Sequence, residues 1–89
     1  MAKLRTCTLS ELRIFVECGA IESTVLEVDK EGLYRCYFHV QEALGGLIRY
    51  TLVTQRSNEP RTFKHPGTVS RILKSENIHE WRVVNVSDQ

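Results

Sequence analysis

The chain is short of the residues that carry most recognisable chemistry. Its three cysteines, Cys7, Cys18 and Cys36, are odd in number and widely separated. With no Cys-x-x-Cys pair they support neither a disulfide framework nor a structural zinc site, and they read as small buried hydrophobes. The three histidines, His39, His65 and His79, fall at separate places without metal-ligand spacing, so neither a metal nor a cofactor is expected. No Gly-x-Ser-x-Gly or Ser/His/Asp arrangement stands out. Glu22, Glu27, Asp29, Glu31 and Glu42 cluster in sequence, yet strand alternation and two loops scatter them, and nothing pairs two carboxylates in an apolar pocket. Cys36 and His39, three residues apart on a strand, point to opposite faces. The expectation is a protein that is not an enzyme.

Long apolar runs are absent as well. None approaches the roughly 18 residues that a membrane span needs, and the N-terminus lacks the basic, apolar and small-residue succession of a signal peptide. A cytoplasmic protein is expected. What remains is ordinary globular material: 89 residues, 42% apolar and 26% charged, enough for one domain over residues 1–89 and too short to divide a core between two.

The charge is segregated, although the total is only +1. Residues 1–48 carry five Lys/Arg against seven acids, a balance of −2. From Arg49 to Lys74 there are six cations, Arg49, Arg56, Arg61, Lys64, Arg71 and Lys74, against Glu59 alone, a balance of +5. A local excess of this size in a chain without general basicity marks a candidate surface for polyanions.

Thr8-Leu9-Ser10-Glu11 matches a capping box, so a helix is predicted from Leu9, with Leu9, Leu12, Phe15 and Val16 as its apolar stripe and Gly19 as a left-handed stop. Three strands follow, Ile21–Val28, Leu33–Val40 and Leu47–Gln55, each bounded by turn residues. Apolar side chains fall on one face when Val28 lies opposite Tyr34, Leu26 opposite Cys36, Thr24 opposite Phe38, Val40 opposite Ile48, Phe38 opposite Tyr50 and Cys36 opposite Leu52. The other face then sets Glu27 against Arg35, Ser23 against His39 and Arg49, and Val25 against Tyr37 and Thr51. In this reading Arg35 is neutralised by Glu27 and Arg49 has no acid across from it.

A turn at Arg56-Ser57-Asn58-Glu59-Pro60 is expected to return the chain through an edge segment, Arg61–Lys64. Pro66 suits the first turn of a second helix, Pro66–Glu76, with Val69, Ile72 and Leu73 on its stripe. Asn77 can take the left-handed cap, and Ile78 can fold back onto the stripe. A last strand spans His79–Val86. The predicted fold is α+β, a three- to five-stranded antiparallel sheet with two short helices on one face, in the order α-β-β-β-(β)-α-β.

Arg49, Arg56, Arg61, Lys64, Arg71 and Lys74 are the candidate nucleic-acid-binding residues, with Arg49 and Arg61 as central phosphate contacts. Tyr37 and His39 beside Arg49 give the outer sheet face one aromatic, fewer than single-strand binders usually present.

Leu4 to Arg13, continuing through Phe15-Val16-Glu17-Cys18-Gly19-Ala20, resembles the opening of a family of small partition-associated proteins encoded on bacterial plasmids and integrated elements. Thr54-Gln55-Arg56 and Glu59 to Lys64 are similar to the middle of the same proteins. Where that family continues from Phe-Lys into a short polar residue, Leu and Asp, this chain has His65-Pro66-Gly67. The resemblance implies a role in plasmid maintenance beside a partition ATPase and a centromere-binding protein, and it carries no catalytic residue. Expected partners are therefore DNA, one of those two proteins, and a second copy of the chain as a homodimer. The alternative reading is a protein-protein interaction adapter or dimerisation module without nucleic-acid affinity.

Overall fold

A computed structural model describes residues 3–53 and 59–86. The elements are β1 (Lys3–Cys7), α1 (Leu9–Glu17), β2 (Ile21–Val28), β3 (Tyr34–Gln41), β4 (Leu47–Leu52), β5 (Thr62–Phe63), α2 (Pro66–Ser75) and β6 (Arg82–Asn85). The fold is α+β, with a six-stranded sheet in the order β1-β4-β3-β2-β6 and β5 paired to β3.

The central meander follows the alternation. β2 pairs antiparallel with β3 through Thr24–Phe38, Leu26–Cys36 and Val28–Tyr34, and β3 pairs antiparallel with β4 through Val40–Ile48 and Phe38–Tyr50. A one-residue slip would carry every buried side chain to the opposite face, which is why the register is so firmly set. The sheet is mixed rather than purely antiparallel. β1 lies parallel to β4, and β6 lies parallel to β2. Parallel partners need long crossovers, and α1 and α2 sit in the crossovers that bring these edge strands into place.

The expected edge segment is present as the two-residue β5, but its partner is β3. Thr62 and Phe63 pair antiparallel with Arg35 and Tyr34 of β3, so β5 runs in the same direction as β4 and extends its line. The antiparallel Val53–Pro60 bridge and the Arg61 amide donating to the Leu52 carbonyl at 2.8 Å join the chain before residue 54 to the chain after residue 58. Pairing beside the end of β4 is confined to Pro60 and Arg61, and β5 itself pairs with β3. Arg56 and the turn residues Ser57 and Asn58 lie outside the described residues.

Both helices pack on one face. Leu12 of α1 with Val69 and Leu73 of α2 join Leu26, Cys36, Phe38, Val40 and Leu52 in one buried cluster, and Phe15 meets Tyr50 with ring centroids 4.9 Å apart. Burying an aliphatic or aromatic side chain of this kind contributes about 1.5–3 kcal/mol, so this packing fixes how each helix is turned. Thr8 caps α1 with the full reciprocal box: the Glu11 amide donates to Thr8 Oγ1 at 3.3 Å and the Thr8 amide to Glu11 Oε1 at 2.9 Å. Gly19, at φ +69°, ends it. Cys7 and Cys36 are buried as expected, whereas Cys18, at the C-cap of α1, is exposed.

Candidate nucleic-acid interface

The rotation of α2 decides which cations face solvent. Pro66 occupies the first turn and supplies a preset φ. At the other end Asn77 takes φ +64°, its amide donates to the Lys74 carbonyl at 3.1 Å, and the Ile78 amide reaches back to the Leu73 carbonyl at 2.9 Å. That is the Schellman geometry, with Ile78 buried against the core. Val69 and Leu73 point inward. At 3.6 residues per turn Arg71 and Lys74 must then stand on the outer face, three residues apart, and both are exposed. Lys64, just before the helix, is exposed too. Arg61 is half-buried, with its guanidinium 4.8 Å from the centre of the Phe63 ring.

Between Arg61 and Ser75 the sequence holds these four cations and no acid. The next acid, Glu76, is turned away. Its carboxylate, with a side chain only 6% exposed, accepts two hydrogen bonds from Arg13 of α1, from Nε at 3.0 Å and Nη2 at 2.9 Å. The fork-on-carboxylate geometry holds Glu76 below its ordinary carboxyl value, the Arg13 hydrogen bond outweighing the opposing effect of burial. Among the described residues Lys64, Arg71 and Lys74 make no ion pair.

Arg49 belongs elsewhere. β4 presents Ile48, Tyr50 and Leu52 to the helices, so Arg49 projects from the opposite, open face. There it forms an ion pair with Glu27, two strands away, while its guanidinium lies 3.8 Å over the Tyr37 ring. The Glu27–Arg35 and His39–Arg49 registers are present, but the Glu27 carboxylate passes over its direct neighbour Arg35 and takes Arg49. The reason is Tyr37. It lies between the two on β3, and a flat guanidinium that stacks on it gains a cation–π contact while reaching the acid. Arg49 is therefore neutralised, contrary to the sequence reading, and it does not share a surface with Arg61, whose ring partner Phe63 belongs to the helix-side core.

Tyr37 itself is 9% exposed beneath Arg49, so the one aromatic of the outer face is covered and offers no stacking surface. His39 faces the same side and its Nδ1 lies 2.9 Å from Ser23 Oγ. Cys36 sits on the helix side, in the core cluster, so the two are on opposite faces. Burial pushes the thiols of Cys7, to about 12, and of Cys36 upward, the opposite of what a nucleophile requires. Among the described residues no group of His, Cys, Asp or Glu is placed to hold a metal ion, and no helix is long and apolar enough to cross a membrane.

Comparison with protein-family models, with curated proteins and with solved structures finds no significant match to this chain.

Proposed function

We propose that this chain is an accessory plasmid-maintenance protein that binds DNA through the α2 flank, with Lys64, Arg71 and Lys74 as phosphate contacts and Arg61 alongside. The observation that carries the reading is the pairing of Glu76 with Arg13. It withdraws the acid nearest to α2 and leaves the cations of that helix uncompensated among the described residues. The resemblance of the Leu4–Ala20 and Thr54–Lys64 stretches to partition-associated proteins supports the plasmid setting. Arg49 is assigned to the electrostatics of the open face and not to the ligand.

Contacts of this kind are mostly electrostatic and register on the duplex without reading its sequence. With three or four phosphates neutralised, log affinity falls against log salt with a slope of about −3 to −4. Fluorescence anisotropy of a labelled duplex over a salt series tests this directly, and absence of binding at low salt refutes it.

A second reading, an adapter or dimerisation module, is favoured by the two parallel edge strands. Leu4 on β1 and Val83 on β6 are 55% and 54% exposed, and an open edge carrying apolar side chains is a template for strand addition. Light scattering separates the readings, because a dimer that persists at high salt with no DNA affinity belongs only to this one.

A further inference from the structure

β6 is in register with β2 only from Val25–Arg82 to Val28–Asn85. The first half of β2, Ile21 to Thr24, pairs with β3 on one side and has no partner strand on the other among the described residues. The chain that leads into β6, Asn77 to Trp81, is not paired with that edge, which is exposed at Glu22 and Ser23 and covered at Thr24. Between them lies an open cleft of about 790 Å³ whose floor includes Val16, Ile21, Ile78 and Trp81. A register shift between Ile21 and Ser23 marks a bulge at Glu22, and bulges of this kind re-aim a side chain. Glu22 lines the cleft, as does Glu80, and both are exposed. The C-terminal end of α1 also borders it, through Val16 and Gly19. That end carries Glu17, which is answered in part by Arg13 one turn earlier, and no basic residue in its last turn, so its negative pole favours a cation. Arg82, the cation of the lining, stands at the end where β6 begins.

We propose that this cleft receives an extended cationic peptide segment of a partner protein. The segment adds as a short strand to the Ile21–Ser23 edge, with lysine or arginine side chains toward Glu22 and Glu80 and an apolar side chain against Trp81. Main-chain hydrogen bonds supply the docking and alternate side chains the selectivity. The site is opposite in charge to the α2 flank and independent of it.

Trp81 is the single tryptophan of the chain, so its emission reports the cleft. The probe is a short synthetic peptide alternating lysine with valine, titrated into the full chain. A saturable change in Trp81 emission is expected. Glutamate in place of lysine abolishes it, N-methylation of the edge-facing amides abolishes it, and Glu22→Gln with Glu80→Gln weakens it about tenfold, the size expected for removing two partly exposed charge pairs. Arg71→Ala with Lys74→Ala leaves it unchanged. No response to the lysine peptide overturns the proposal. So does equal binding of the glutamate or N-methylated peptide, or an unaltered affinity in the Glu22/Glu80 variant whose fold is verified by circular dichroism.

Discussion

Arg49 and Glu27 are joined across the whole width of β3, the guanidinium lying on the ring of Tyr37 as it passes. A central cation of the predicted patch is thereby turned into a strut of the open sheet face. Exposed ion pairs contribute about 0.2–1 kcal/mol and a cation–π contact about 0.5–1 kcal/mol at such sites. Arg49→Ala is therefore expected to lower stability by about 1–2 kcal/mol, and Glu27→Gln by less because the stacking on Tyr37 survives. Urea unfolding of both variants checks the order. A Glu27→Gln destabilisation larger than that of Arg49→Ala contradicts it.

The Arg13–Glu76 pair contributes to stability on the acid side. Glu76 is held below its ordinary value of 4.5, first by the Arg13 hydrogen bond. A carboxyl depressed in the folded state contributes stability that is present above its unfolded value and is lost as pH falls through the folded one. Removing the arginine reverses the balance, since burial alone pushes Glu76 up. Arg13→Met is accordingly expected to unfold at a higher pH than the parent chain, while Arg13→Met combined with Glu76→Gln recovers part of the difference. Acid titration followed by circular dichroism measures both midpoints, and coincident parent and Arg13→Met midpoints count against the pairing.

Thiol reactivity should separate the three cysteines. Cys7 and Cys36 are buried with thiols shifted upward, chiefly by desolvation, whereas Cys18 is exposed. Brief maleimide treatment of the folded chain is expected to give one adduct, at Cys18, and unfolding to release the other two. Labelling of Cys36 at the rate of Cys18 contradicts the buried assignment. The raised Cys7 value also implies stability that is complete below its ordinary 9.0 and erodes as pH climbs toward about 12.

Thr8→Ala removes the side-chain half of a reciprocal cap, the Oγ1 that accepts from the Glu11 amide, and keeps the other half, the residue-8 amide donating to the Glu11 carboxylate. A destabilisation of about 1 kcal/mol is expected, readable as a lower urea midpoint at an unchanged slope.

The parts of this fold that are legible in the sequence are those with a local signature. The Thr8–Glu11 box, the Asn77 cap with Ile78 folding back, and the period-two alternation of β2, β3 and β4 each hold their information within a few residues. β1 does not. Lys3-Leu4-Arg5-Thr6-Cys7 is short and half polar, and its partner is β4, distant in the chain and parallel, with no turn between them to advertise the pairing. β5 joins β3 for a related reason: its partners Tyr34 and Arg35 are distant in the chain, and the turn composition of Arg56 to Pro60 does not say which strand the residues after it will meet. For the candidate site, one-dimensional charge counting locates the basic segment. It does not reveal that Glu27 prefers Arg49 across Tyr37 to Arg35 beside it, nor that Arg13 neutralises Glu76, because both choices are made by side-chain reach between distant elements.

The central claim is that α2, and not the open sheet face, meets the polyanion. It is tested most directly by the salt dependence of duplex binding in two variants. Arg71→Ala with Lys74→Ala is predicted to flatten the slope of log affinity against log salt by about 2, one for each phosphate that no longer meets a cation, and Arg49→Ala to leave it where it was. A slope that flattens for Arg49→Ala and stays fixed for the α2 pair contradicts the account.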